Sequence, residues 1–168
     1  MPVRHLLAIA LFALFPLAAT AAQDLPAPTG PVVLTISGAI SVSNIEGAAA
    51  FDQAMLDGLA QHTIKSETPW YDGERTFSGV LVSALIEAVG ATGPALSVTA
   101  LNGYSAEIPR GDVTDHPVIL ASRVNGELLS VRDKGPLFVI YPFDSHPELF
   151  NEVYFGRSVW QVTAMSVQ

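Results

Sequence analysis

Two Asn-Gly dipeptides, Asn102-Gly103 and Asn125-Gly126, each sit between two runs of β-type residues, and they limit this chain more than any other feature. Leu96 to Leu101 and Tyr104 to Ile108 flank the first; Val118 to Val124 and Glu127 to Val131 flank the second. A two-residue hairpin turn needs positive φ at both central positions, which Asn and Gly tolerate best. The second half of the chain is therefore expected to be built on antiparallel hairpins, which excludes an all-helical bundle and a purely parallel α/β sheet.

Other segments fill in the rest. Val32 to Ile36 reads as a short strand, with a second possible at Ala39 to Val42. Phe51, Met55 and Leu59 recur at fourfold spacing and predict a helix of about ten residues. Val82, Leu85, Ile86 and Val89 repeat the helical pattern, and Gly90 stands where a helix can stop in a left-handed turn. Leu137 to Tyr141 is continuously apolar, as a central strand covered on both faces would be. Val159 to Val167 alternates and reads as the last strand. Two or more short helices among seven or so strands make an α+β domain with mixed or antiparallel sheets over residues 32–168.

Residues 1–21 carry the parts of a secretory signal: a basic head at Arg4 and His5, an apolar run from Leu6 to Leu17, and a small-x-small site at Ala19-Thr20-Ala21. The run is shorter than the roughly 20 residues needed to span a bilayer. The expectation is a cleaved signal, no membrane insertion afterwards, and an extended Pro-rich leader over residues 22–31. Export from a Gram-negative cell would place the protein in the periplasm.

Composition narrows the chemistry. Eight basic against sixteen acidic residues give a formal net charge of -8, which argues against nucleic acid or an anionic membrane surface as the main partner. The 168 residues include no cysteine, so disulfides, thiolate ligands and cysteine nucleophiles are excluded. His62, His116 and His146 lack metal-ligand spacing in sequence. No nucleophile elbow, P-loop or dinucleotide fingerprint occurs. The pairs Asp112 with Asp115 and Asp72 with Glu74 read as carboxylates on solvated loops.

Two segments stand out. Thr68-Pro69-Trp70-Tyr71-Asp72-Gly73 places two aromatics in a turn, where a flat ring can stack. Arg132-Asp133-Lys134-Gly135-Pro136 is the densest basic cluster in an acidic chain, and Gly156-Arg157-Ser158-Val159-Trp160 follows it in the sequence.

The succession T-P-W-x-D-G, F-S-G-V-x-x-x-x-L-I, A-L-N-G-Y, N-G-E-L-L, R-D-K-G-P-L-F-V-I-Y-P and R-S-V-W-Q resembles the oxidoreductase molybdopterin-binding domain, the sulfite oxidase fold. The resemblance covers nearly all of residues 32–168. In that family a cysteine thiolate and a pyranopterin dithiolene hold molybdenum. Here the corresponding region, about His62–Tyr71, has Ser66 and Thr68 but no sulfur. The lysine of the family's R-x-V-K-W pattern is also missing from Arg157-Ser158-Val159-Trp160.

The cysteine-lacking form looks like the periplasmic pterin-binding members of the fold. The resemblance implies a non-catalytic pterin receptor, with no catalytic residues and no metal, that relays pterin availability to the periplasmic region of a membrane protein of the GGDEF/EAL type. That protein regulates cyclic-di-GMP and, through it, biofilm formation. The other readings are a molybdopterin-dependent oxidoreductase and an interaction module without ligand.

A reduced pterin is flat, with a donor–acceptor edge, and needs a stacking face and polar partners. Trp70, Tyr71, Tyr141 and Trp160 are the expected stacking residues. Asp133 is the expected partner of the 2-amino edge. Arg132, Lys134 and Arg157 are expected as donors, with backbone groups around Gly135 in close approach. The loop from Phe143 to Glu152 is expected to border the pocket and to form part of a partner surface.

Overall fold

The Asn125-Gly126 turn has φ of 50° and 86°, as the hairpin requires, and it joins β7 (Ile119–Val124) to β8 (Glu127–Leu128). The computed structural model describes residues 25–168. The signal expected over residues 1–21 lies outside them, as do residues 22–24 of the leader.

Before β7 the chain runs through β1 (Val32–Gly38), β2 (Ala48–Asp52), α1 (Gln53–Asp57), β3 (Gln61–Thr68), β4 (Tyr71–Leu81) and α2 (Val82–Ala88). Next come β5 (Ala95–Ala100), β6 (Ser105–Pro109) and α3 (Arg110–Asp115). After β8 come β9 (Phe138–Ile140), α4 (Glu152–Arg157) and β10 (Val162–Val167).

These strands form two sheets, and with the four helices they make a small α+β domain. One sheet has the order β2-β1-β10-β5-β6; β1 and β10 are parallel and the other pairs antiparallel. The other runs β3-β4-β7-β8, with β9 also on β7. Leu34, Ile36 and Val98 from the first sheet meet Val80, Leu120 and Val139 from the second in one buried cluster. Ile64, Phe77, Ile119, Ala121, Phe138 and Ile140 form another cluster. Alternation along the strands puts these residues on the opposite face of the second sheet.

Several expectations need correction. Phe51 and Asp52 belong to β2, and the helix predicted around them is only α1. β2 is buried throughout and pairs with β1, so tertiary burial overrides the fourfold spacing. Asp52 caps α1 by accepting the Met55 N–H at 2.9 Å. No strand forms at Ala39–Val42; Ser41 and Val42 instead donate to the carbonyl of Val89 at the end of α2. β8 stops at Leu128, and the chain turns through a 3-10 segment at Val131–Asp133. β10 starts at Val162, because Gln161 takes φ of 54° and breaks the alternation.

β9 is fully buried, as expected, but it is not flanked by two long strands. One edge pairs with β7; the other meets Val159 and Trp160, where Val139 donates to Val159 at 2.9 Å. Helices α3 and α4 were not anticipated, since a single turn shows no periodicity. The described part of the leader lies outside the sheets and is docked: Thr29 and Gly30 each donate to Asp52 Oδ2 at 2.8 Å, and Leu25 packs on the core. α2 closes at Gly90 with φ of 59°, as expected.

Candidate functional site

A cleft of about 420 Å³ opens where three connections meet. The β3–β4 turn supplies Trp70, the β5–β6 hairpin supplies Asn102 and Tyr104, and α4 with the segment after it supplies Glu152, Phe155 and Trp160. The volume lies within the range of small-molecule sites.

The walls are held by aromatic packing. Trp70 stands edge-on to Phe138 at 5.2 Å and to Phe155 at 5.9 Å, so a turn residue is fixed from below. Its ring lies 6.1 Å from that of Trp160, at 67° between planes. The two indoles therefore make a floor and a side wall rather than a parallel sandwich. Trp160 is 39% exposed, which leaves ring surface for a ligand. Tyr104 donates to the carbonyl of Gly156 at 2.9 Å, tying the hairpin tip to α4.

Glu152 is the one charged side chain that lines the cleft. Among the described residues its carboxylate has no ion-pair partner, and it is available to accept two hydrogen bonds. Asn102 Oδ1 accepts the Tyr104 N–H at 3.0 Å, which leaves its amide group as a donor.

The expected site residues fall into three places. Trp70 and Trp160 line the cleft. Arg157 and Tyr141 lie behind it: Arg157 Nη1 donates to Asp112 Oδ2 at 2.9 Å, and the Tyr141 hydroxyl donates to the same oxygen at 2.8 Å. Tyr141 has no exposed surface and offers no stacking face in this structure. Burial, then the Asp112 carboxylate, pushes its phenol far above the usual range, so it remains a neutral donor.

Tyr71 and the turn Arg132-Asp133-Lys134 lie outside the cleft lining, and Gly135 behind them is buried. Asp133 Oδ2 accepts from Ser130 Oγ at 2.9 Å, away from the cleft lining. Lys134 Nζ lies 4.3 Å from the centre of the Tyr71 ring. Gly135 is explained by packing: a Cβ there would overlap the carbonyl oxygen of Leu129. Of the loop from Phe143 to Glu152, only Glu152 lines the cleft, while Phe143 lies in the core.

The sequence reading had Glu152 only as the end of a bordering loop, and it missed Asn102, Tyr104 and Asp112. Only Asn102 and Tyr104 carried a signal, at the tip of a hairpin. The histidines, scattered in sequence, are partly gathered in space: His116 and His146 meet edge to face at 4.8 Å, with His146 Nδ1 3.1 Å from Glu148. Among the described residues no three His, Cys, Asp or Glu side chains are arranged to hold a metal ion.

A molybdenum-bearing, phosphorylated pterin cofactor does not fit these side chains. Ser66 stands in the region of the expected thiolate, but its hydroxyl is fully buried and donates to Asp144 at 2.8 Å. A phosphate would also need cations, whereas the cleft presents Glu152 and Arg157 is turned to Asp112.

Fold and cleft together define a small α+β domain with an aromatic-walled cleft. No protein-family model and no curated protein matches this chain.

Proposed function

We propose that this protein is a non-catalytic pterin receptor of the sulfite oxidase type, exported to the periplasm, that binds a reduced pterin lacking phosphate and metal. It relays occupancy to a membrane-bound regulator of cyclic-di-GMP. The observation that carries the ligand reading is the convergence of both tryptophans of the chain on one cleft beside an unpaired carboxylate. A pterin presents a flat bicycle to the indoles and its 2-amino and N3 hydrogens to Glu152, a charge-assisted bidentate contact. The pathway step rests on the family resemblance.

Because the chain has two Trp residues and both line the cleft, its indole fluorescence reports on that cleft. Titration with tetrahydrobiopterin is expected to quench the emission saturably. It should also raise the melting temperature, since ligand at 100-fold its dissociation constant adds about 2.7 kcal/mol. Unchanged emission together with an unchanged melting temperature would overturn the reading.

A further inference from the structure

The cations of this acidic chain are not distributed evenly. Residues 25–168 contain Lys65, Arg75, Arg110, Arg123, Arg132, Lys134 and Arg157. Lys65 pairs with Glu74 at 2.6 Å, Arg123 with Asp57 at 2.8 Å and Arg157 with Asp112 at 2.9 Å. Arg110 donates to the carbonyls of Ala91 and Gly93. Among the described residues, the three left without carboxylate or long-range carbonyl partners are Arg75, Arg132 and Lys134; Arg75 shares β4 with Tyr71, and Arg132 lies in the 3-10 turn that ends at Lys134. Lys134 covers the Tyr71 ring, the Tyr71 hydroxyl donates to the carbonyl of Asp133 at 3.3 Å, and strand alternation puts Arg75 on the same face of β4 as Tyr71.

This face is held in place. Lys134 takes φ of 70°, a conformation L side chains rarely adopt, and its carbonyl accepts the Gln161 N–H at 2.9 Å. Val131, 49% exposed, stands beside Arg132. Its carbonyl accepts from Gln161 Nε2 at 2.7 Å. Arg, Tyr and an exposed aliphatic side chain on a fixed backbone make the composition of an interface centre, with little entropy to lose on binding.

We infer that the face formed by Tyr71, Arg75, Val131, Arg132 and Lys134 is a docking surface for an acidic, partly apolar segment of a partner protein. Polyanions are the poorer fit. Asp133 stands between Arg132 and Lys134, and the chain carries a net charge of -8, so a nucleic acid or an anionic bilayer would be repelled over most of the surface. An isolated segment whose acids meet the cations and whose apolar residues cover Val131 avoids that repulsion. Gln161 joins this face to Trp160 of the cleft, so a partner here is placed to sense the ligand; that clause alone rests on the pterin reading.

The test uses the full chain and a fluorescent peptide of alternating Glu and Leu, with a Lys–Leu peptide as control. Expected are salt-sensitive binding of the acidic peptide only and amide shifts at residues 71, 75 and 131–134. Arg132→Glu should cost roughly tenfold in affinity without a change in melting temperature. Arg132→Gln with Lys134→Gln should also weaken binding, which guards against a folding defect from charge reversal. Absence of peptide binding, equal binding by the variants, or binding of phosphatidylglycerol vesicles in preference to the peptide would overturn the inference. Pterin quenching is measured on the same samples. Quenching without peptide binding sinks the docking surface alone, and peptide binding without quenching sinks the ligand reading alone.

Discussion

Arg157 and Asp112, 45 residues apart, form a partly buried ion pair at 2.9 Å that joins the end of α4 to α3. Asp112 is 12% exposed in its side chain and also accepts the buried Tyr141 hydroxyl. One carboxylate thus fixes a cleft-lining helix and satisfies a phenol that has no access to water. Asp112→Ala is expected to cost about 3 kcal/mol, because it leaves a guanidinium and a buried hydroxyl without their acceptor. Tyr141→Phe removes the donor along with the need for it and should cost about 1 kcal/mol. Urea denaturation of the two variants checks the ranking; equal costs would deny Asp112 its double role.

Gly135 gives a prediction that separates packing from ligand contact. It is buried, and the space a Cβ would need is taken by the backbone of Leu129. Gly135→Ala should therefore destabilise the fold by about 2–4 kcal/mol. Pterin affinity of the fraction that remains folded should be unchanged, since the residue does not line the cleft. Denaturation and fluorescence titration on one preparation measure both.

How much of this was legible in the sequence depended on the range over which each signal acts. Asn125-Gly126 announced its hairpin because turn chemistry is local, and Val82 to Gly90 announced α2 because seven residues of periodicity and a stop signal agree. Phe51 misled because its spacing from Met55 is helical, while its burial comes from pairing with β1, which local spacing does not show. In the site, Trp70 was visible as an aromatic in a turn. Asp112 was set aside with Asp115 as a loop carboxylate, because its partners Tyr141 and Arg157 are distant in sequence. Arg132 and Lys134 were noticed for their scarcity, but only the structure shows that neither lines the cleft. Glu152 was expected only as the end of a loop bordering the pocket; its role as the carboxylate of the cleft comes from what surrounds it.

Asp52 predicts an acid-sensitive fold. Its carboxylate accepts N–H groups of Met55, Gly30 and Thr29, and these contacts hold it below the ordinary value of 3.8 despite the opposing effect of burial. A depressed carboxylate contributes stability that is fully present above the unfolded value and is lost as the pH falls through the folded one. Asp57, held down by Arg123, acts in the same direction. The urea midpoint should therefore drop as the pH is lowered below about 4. Asp52→Asn should lower the midpoint at neutral pH and flatten that decline, leaving the part due to Asp57. A variant with the parent's full pH slope would show that Asp52 is not the group responsible.

Glu152 predicts which heterocycles the cleft prefers. A pterin carries a 2-amino group and an N3 hydrogen on one edge, both donors to a carboxylate, whereas lumazine has a carbonyl at the 2-position. With lumazine bound in the same pose, that carbonyl would face the Glu152 oxygens, and the carboxylate would lose one hydrogen bond and meet a repulsive dipole. Stacking on Trp160 is nearly the same for both, so discrimination falls on the edge. The protein should bind pterin at least about tenfold more tightly than lumazine, the scale of one charge-assisted hydrogen bond. In Glu152→Gln the amide can rotate to present a donor to the lumazine carbonyl, and the preference should shrink several-fold or disappear. Trp160→Ala should instead weaken both ligands by about 1–3 kcal/mol and leave their ratio unchanged. Competition titrations read through the remaining indole emission measure all three. A lumazine affinity equal to that of pterin in the unaltered protein would remove Glu152 from recognition of the ligand edge.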